Sequence, residues 1–166
     1  MRGVPNDLQI DAIDRALLEA LSEDARIPNN KLAERAGVAP STALQRVRAL
    51  RKSGVLRGFH AEIDLAALGR PLQSMVAVRL AVHNREQIDT FTNAVRGLPG
   101  VLTVFHLAGA TDYLVWLAAA DAQDLREFVV DHLATHPAVA HAETSLIYEH
   151  RRGPGIWGAA EPGTQP

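Results

Sequence analysis

Apolar residues recur at helical spacing near the start of the chain: Ile10, Ile13, Leu17, Leu18 and Leu21 share one face and predict a helix over residues 12–23. Asp11 can cap its amino end, and Asp14 lies in the first turn, where the helix dipole favours an anion. After a polar break at 22–28, Asn29 or Asn30 can cap a short helix carrying Leu32, Ala33 and Ala36, which Gly37 ends. Pro40 suits the first turn of a third helix with Ala43, Val47 and Leu50 on its inner face, and Gly54 stands where a left-handed terminating residue belongs. Ala33, Gly37 and Ala43 give two small residues where helices touch and a glycine in the tight turn between them, the spacing of a helix-turn-helix.

The period then changes. Residues 56–64 alternate loosely and read as extended, and 65–71, with Gly69 and Pro71, read as a linker. Beyond it the pattern predicts a strand over 74–82, then a helix over 85–97 with Ile88, Phe91, Val95 and Leu98 on one face. A strand over 101–108, the turn Gly109-Ala110-Thr111 and a strand over 112–119 follow. A helix capped by Asp121, carrying Leu125, Phe128, Val129 and Leu133, precedes Pro137 and a last strand over 139–149. The order β-α-β-β-α-β folds as a four-stranded antiparallel sheet with both helices on one face. The expected class is α+β: a three-helix, winged-type helix-turn-helix over 1–56, a hinge over 57–70, a ferredoxin-like domain over 71–150 and a disordered tail over 151–166. Seven of the last sixteen residues are Gly or Pro, and Trp157 is the tail's only large anchor.

The strands are apolar on both sides. Val76, Val78 and Leu80 alternate with Met75, Ala77 and Ala81, Val104 with Phe105, and Trp116 with Val115 and Leu117. The helices cover one face, so a second copy of the chain is expected to cover the other, making a homodimer.

Composition narrows the function. The 166 residues are 47% hydrophobic and 22% charged, enough for a real core, with no run approaching the ~18 apolar residues of a membrane span and no apolar signal core. A cytoplasmic protein is expected. The absence of cysteine excludes disulfides, thiolate metal sites and a cysteine nucleophile. The net charge of −2 hides a segregation: residues 1–60 hold ten Arg/Lys against seven Asp/Glu, and 61–166 hold seven against twelve. From Val38 to Gly58 there are five cations and no acid. If the third helix buries Ala43, Val47 and Leu50, then Ser41, Gln45, Arg48 and Lys52 lie on the opposite face, with Thr42 beside its first turn. An ordinary solvated face mixes signs. This acid-free one can meet DNA, with Ser41, Thr42, Gln45 and Arg48 at base edges and Arg46, Arg51, Lys52 and Arg57 at phosphates or fixing the helix.

No catalytic constellation, resident cofactor or metal site stands out. His132 and His136 are at i, i+4 without a third ligand, and His106, among apolar strand residues, reads as a packed histidine.

Two stretches, IDAIDRALLEALSEDARIPNNKLAERAGVAPSTALQRVRALRKSGVL and HLAGATDYLVWL, resemble the leucine-responsive regulatory protein (Lrp/AsnC) family of transcription regulators. The likeness runs from about Leu8 to His150 and includes Ala39-Pro40-Ser41-Thr42, Arg46-Val47 and Gly54-Val55. It implies a regulator that binds double-stranded operator DNA as a dimer or an assembly of dimers and senses a small effector, usually an amino acid, in its second domain. Ala39 replaces a usual capping serine, a start weaker by ~1 kcal/mol. The effector turn reads Gly109-Ala110-Thr111-Asp112 where Gly-Asp-aromatic-Asp is usual, so its first acid is missing. A zwitterion needs N–H donors and a carboxylate: Gly109 lets the backbone approach, and Asp112 is the one acid in the turn. Thr144 on the last strand can add a hydroxyl if it faces the same pocket. Tetrapyrrole (siroheme-type) decarboxylases share this architecture and form the alternative enzyme class; a scaffold protein is the third reading. The acid-free helix favours DNA.

Overall fold

A computed structural model describes residues 9–81, 84–151, 153, 155 and 156. Leu8, Val82 and Trp157, used in the sequence reading, lie outside these residues. The chain forms two compact units, one spanning Ile63–Arg151 and the other holding the residues before it.

In the first unit, α1 (Ala12–Glu23), α2 (Asn29–Arg35) and α3 (Pro40–Lys52) follow the predicted helices closely. Asp11 caps α1, its Oδ1 accepting the Asp14 N–H at 2.8 Å. The expected asparagine cap of α2 is not made: Pro28 holds the cap position, and Asn29, already helical, donates from Nδ2 to Pro40 O at 2.8 Å. That bond joins the first turns of α2 and α3. Gly37 (φ 65°) and Gly54 (φ 81°) end α2 and α3 in the left-handed region, which costs glycine nothing. Leu17, Leu21, Leu32, Ala33 and Ala43 make the core, with Val47 and Leu56 packed against it. Residues 57–64, expected to be extended, pair with no strand among the described residues.

The second unit carries β1 (Leu72–Leu80), α4 (Arg85–Arg96), β2 (Val101–His106), β3 (Tyr113–Ala119), α5 (Ala122–Phe128) and β4 (Val139–Ile147). The sheet order is β2-β3-β1-β4, antiparallel throughout, as the ferredoxin-like order requires. Val76, Val78, Leu80, Val115 and Leu117 face Phe91 and Val95 of α4 and Leu125 and Leu133 after it. Alternation sends Met75, Ala77, Leu114 and Trp116 to the other face, which no helix among the described residues of this unit covers. Trp116 Nε1 donates to Gln73 Oε1 at 3.1 Å, and its ring lies 4.8 Å from that of His150.

The helix expected to run on past Phe128 changes form. Val129–Ala134 is π-helical, and the Thr135 N–H reaches back five residues to Val130 O at 3.2 Å.

Candidate nucleic-acid interface and small-molecule turn

The burial of Ala43 and Leu50 fixes the rotation of α3, and it leaves Ser41, Gln45, Arg48 and Lys52 exposed together on the opposite side. Thr42 is half-buried beside the first turn. Arg51 is exposed at the carboxy end with its guanidinium 5.8 Å from the centre of the Phe59 ring, a cation–π distance. Arg57 is exposed just beyond.

Arg46 is placed differently from the rest of the basic set. It flanks the buried stripe, and its Nη1 bonds the Asp11 carboxylate and lies 3.2 Å from Asp14 Oδ2. The Asp14 N–H and then the Arg46 guanidinium hold the Asp11 carboxyl below its usual range, while Asp11 and then Asp14 raise Arg46. Arg46 therefore ties α3 to the start of α1. The sequence places Arg46 three residues after Ala43 and four before Leu50, at the border of the core, but nothing in its spacing names Asp11, the cap of α1, or Asp14 as its partner.

Sequence reasoning also missed Leu44, 40% exposed on α3 between Ser41 and Arg48. An exposed leucine on a polar, basic face suits contact with the thymine methyl group in a major groove.

In the second unit, Gly109, Ala110, Thr111 and Asp112 are together in the turn between β2 and β3, with Gly109 at φ 138°. Gly109 and Ala110 are exposed, and Asp112 is buried. The turn is closed by the Leu107 N–H on Asp112 O at 2.8 Å and anchored by the Asp112 N–H on Val78 O at 3.0 Å. The Asp112 carboxylate points inward, Oδ2 accepting the Leu80 N–H at 2.7 Å. Thr144 is not brought to this turn within the chain: it sits on edge strand β4 opposite Val76, with β1 between it and β3.

The histidines have separate surroundings. His106 stacks on Tyr113 with ring centres 4.6 Å apart. The π-helical turn breaks the i, i+4 register of His132 and His136: the first meets the Phe128 ring, and the second meets Phe91 and accepts the Ala138 N–H on Nδ1 at 3.2 Å. Among the described residues no group of three or more His, Asp or Glu could hold a metal ion. At the other end of β3, a depression of about 220 Å³ is lined by Arg70, Asp124, Phe128 and His132, with Arg70 and Asp124 paired at 3.3 Å.

Residues 10–51 match the AsnC-type helix-turn-helix domain, and residues 73–152 match the Lrp/AsnC ligand binding domain. The chain is 48% identical to the HTH-type transcriptional regulator AldR of Mycolicibacterium smegmatis over 91% of its own length and 90% of that protein's. It is 31% identical to the transcriptional regulator AzlB of Bacillus subtilis over 84% and 89% of the two lengths. Among solved structures, MtbAldR superposes with a TM-score of 0.75 at 44% identity, covering 90% of this chain and 97% of that one. A Neisseria meningitidis regulator, solved as a complex with L-methionine, gives 0.79 at 30% identity over 87% and 93%. These relatives are regulators, and the decarboxylase reading finds no support among them. With a basic, acid-free helix presented by a helix-turn-helix and a βαββαβ unit following it in sequence, the chain belongs to the Lrp/AsnC family of transcriptional regulators.

Proposed function

We propose that this regulator reads operator DNA through α3, with Ser41, Thr42, Gln45 and Arg48 at base edges and Arg51, Lys52 and Arg57 at phosphates. The observation that carries the reading is the exposed face of α3, which has cations and amide and hydroxyl groups but no carboxylate. Arg46 acts from behind, holding α3 against Asp11 and Asp14. The test is titration of a selected operator with the Gln45→Ala, Arg48→Ala double variant. Each bidentate base contact is worth ~1–3 kcal/mol of discrimination, so selectivity should fall by tenfold or more; unchanged affinity and selectivity refute the assignment. Lys52→Ala should weaken all sequences alike and flatten the salt dependence. Deoxyuridine in place of thymine should weaken the wild type but not Leu44→Ala if Leu44 meets a thymine methyl.

The second unit is the sensor. Its family match is to a ligand binding domain, and two related regulators, those of N. meningitidis and M. tuberculosis, were solved with L-methionine. A small amino acid or similar effector binds at Gly109–Asp112 and shifts assembly or DNA affinity without being altered, so the protein is a non-enzyme. A ligand acts as a switch only if it prefers one state, so the assay is a thermal-shift screen followed by DNA titration with and without each hit. Binding that moves neither DNA affinity nor assembly refutes the switch.

The apolar face carrying Met75, Ala77, Leu114 and Trp116 pairs with a second copy, and dimers associate further. Sedimentation of the full chain at micromolar concentration should give a dimer or larger, and a compact monomer contradicts it. Residues 57–70 serve as the hinge between DNA-binding and sensing domains. Action in the cytoplasm, where the DNA is, goes with the operator-binding role that its regulator relatives support; no helix of the described residues is long and apolar enough to cross a membrane.

A further inference from the structure

Within the basic set of the helix-turn-helix unit, Arg46 and Arg51 have fixed partners, and the partners differ in kind. Arg46 is held by the carboxylates of Asp11 and Asp14, which engage its Nη1 and offset its charge. Arg51 is held by a ring: its guanidinium carbon lies over Phe59, 5.8 Å from the ring centre. Among the described residues Arg51 has no carboxylate partner, and Arg48, Lys52 and Arg57 have neither a carboxylate nor a ring.

The chain builds this contact by turning back at the end of α3. Gly54, at φ 81°, reverses it, with the Gly54 N–H on Arg51 O at 3.1 Å and the Leu56 N–H on Leu50 O at 3.0 Å. Leu56 packs against the helical core, and Phe59 then meets the last turn of the helix with 43% of its surface still exposed. A ring that exposed adds little to a core. What its face does offer is attraction for a cation without a formal charge, which leaves the planar guanidinium its charge and its N–H edge. A phosphate accepts that edge in a bidentate pair. A carboxylate in the place of Phe59 would offset the charge and take the donors, as Asp11 does for Arg46. No acid stands between Glu34 and Glu62 in the sequence, and the aromatic lies within that stretch.

We propose, resting on the phosphate role given to Arg51 above, that Phe59 is a positioning residue for DNA binding: its ring orients the Arg51 guanidinium on one backbone phosphate while leaving it charged. The experiment is titration of the full chain against a duplex of arbitrary sequence over a range of salt, with Phe59→Leu and Phe59→Tyr each made on the wild type and on Arg51→Ala. Phe59→Leu keeps apolar bulk but no ring. It should weaken binding by about two- to fivefold on the wild type, the size of an exposed cation–π contact, and leave Arg51→Ala unchanged. Phe59→Tyr keeps the ring face and should bind as the wild type does. An equal loss on both backgrounds, which a purely structural role would give, overturns the proposal. So does the absence of any loss, or a loss in Phe59→Tyr that matches Phe59→Leu. Arg51→Ala alone should flatten the slope of log affinity on log salt by about 0.9 per bound chain. An unchanged slope refutes the phosphate role of Arg51 itself, a distinct result, and the inference falls with it.

Discussion

Replacing Ala39 by serine should stabilise the helix-turn-helix unit, and the structure sets the size of the gain. Ala39 is the N-cap of α3 with φ −67° and ψ 148°, the extended backbone a cap requires, and it makes no side-chain hydrogen bond. Pro40 at the first helical position has no N–H to satisfy. The Ala43 N–H is bonded to Ala39 O at 3.0 Å, which leaves the Thr42 N–H as the natural target for a hydroxyl at position 39. The backbone is already in place, so nothing opposes the gain, and Ala-to-Ser at a cap is worth about 1 kcal/mol. For a unit of this size that raises Tm by roughly 4–8 °C. Calorimetric scans of the full chain, with hydrogen exchange at the amides of 41 and 42, should show a higher transition and slower exchange. An unchanged or lower transition, or an equal rise in Ala39→Val, which adds no acceptor, refutes the capping argument.

Three further outcomes are expected. Asp11 has a folded pKa below its ordinary value of 3.8, held there by the Asp14 N–H and then Arg46, so its stabilising effect is present above that value and is lost as pH falls through the lowered one. Acid unfolding followed by circular dichroism should therefore be steeper in the wild type than in Asp11→Asn, which keeps the cap but not the charge. Gly100→Ala should destabilise the second unit by about 1–2 kcal/mol for the left-handed backbone alone. Its φ is 88° and a Cβ would sit 2.9 Å from Ala118 O, so the denaturation midpoint should drop further than for Gly97→Ala, whose nearest contact is 3.7 Å. Phe91→Ala empties a fully buried site whose ring centre lies 4.9 Å from that of Tyr113, and urea unfolding should show a loss of about 3–5 kcal/mol.

The fold was legible because periodicity records which positions are buried. Leu17 and Leu21 in α1, Phe91 and Val95 in α4, and the alternation of Val76 with Ala77 each report a face, and a face with its turn residues suffices to order the elements. What periodicity does not record is local competition for backbone groups. Asn29 looked like a cap because asparagine caps helices, but Pro28 took that place and Asn29 spent its amide on Pro40 O. The π-helical turn at Val129–Ala134 still buries Leu133 and so left little mark on the hydrophobic pattern, though it exposed Val130 and parted His132 from His136.

The candidate sites show the same division more sharply. The exposed row Ser41, Gln45, Arg48 and Lys52 could be read from spacing alone, since burying Ala43 and Leu50 leaves that row no other side to face. Arg46 and Asp112 could not, because each is defined by a partner distant in sequence: Asp11 lies 35 residues from Arg46, and Leu80 lies 32 from Asp112. A charge read in isolation looks available to a ligand. Once Arg46 is paired, the exposed cations of the basic set are Arg48, Arg51, Lys52 and Arg57, and the Asp112 carboxylate is fixed in direction by the Leu80 N–H. On the proposed reading, phosphate would be met by cations that the fold leaves unclaimed, while the placing of the DNA-reading helix depends on one that it claims. Arg46→Ala distinguishes these roles: it removes the Nη1 tie to Asp11 and Asp14 while leaving every cation of the exposed face in place, so operator selectivity should fall while the salt dependence of non-specific binding stays as it was, and a flatter salt dependence would put Arg46 on phosphate instead.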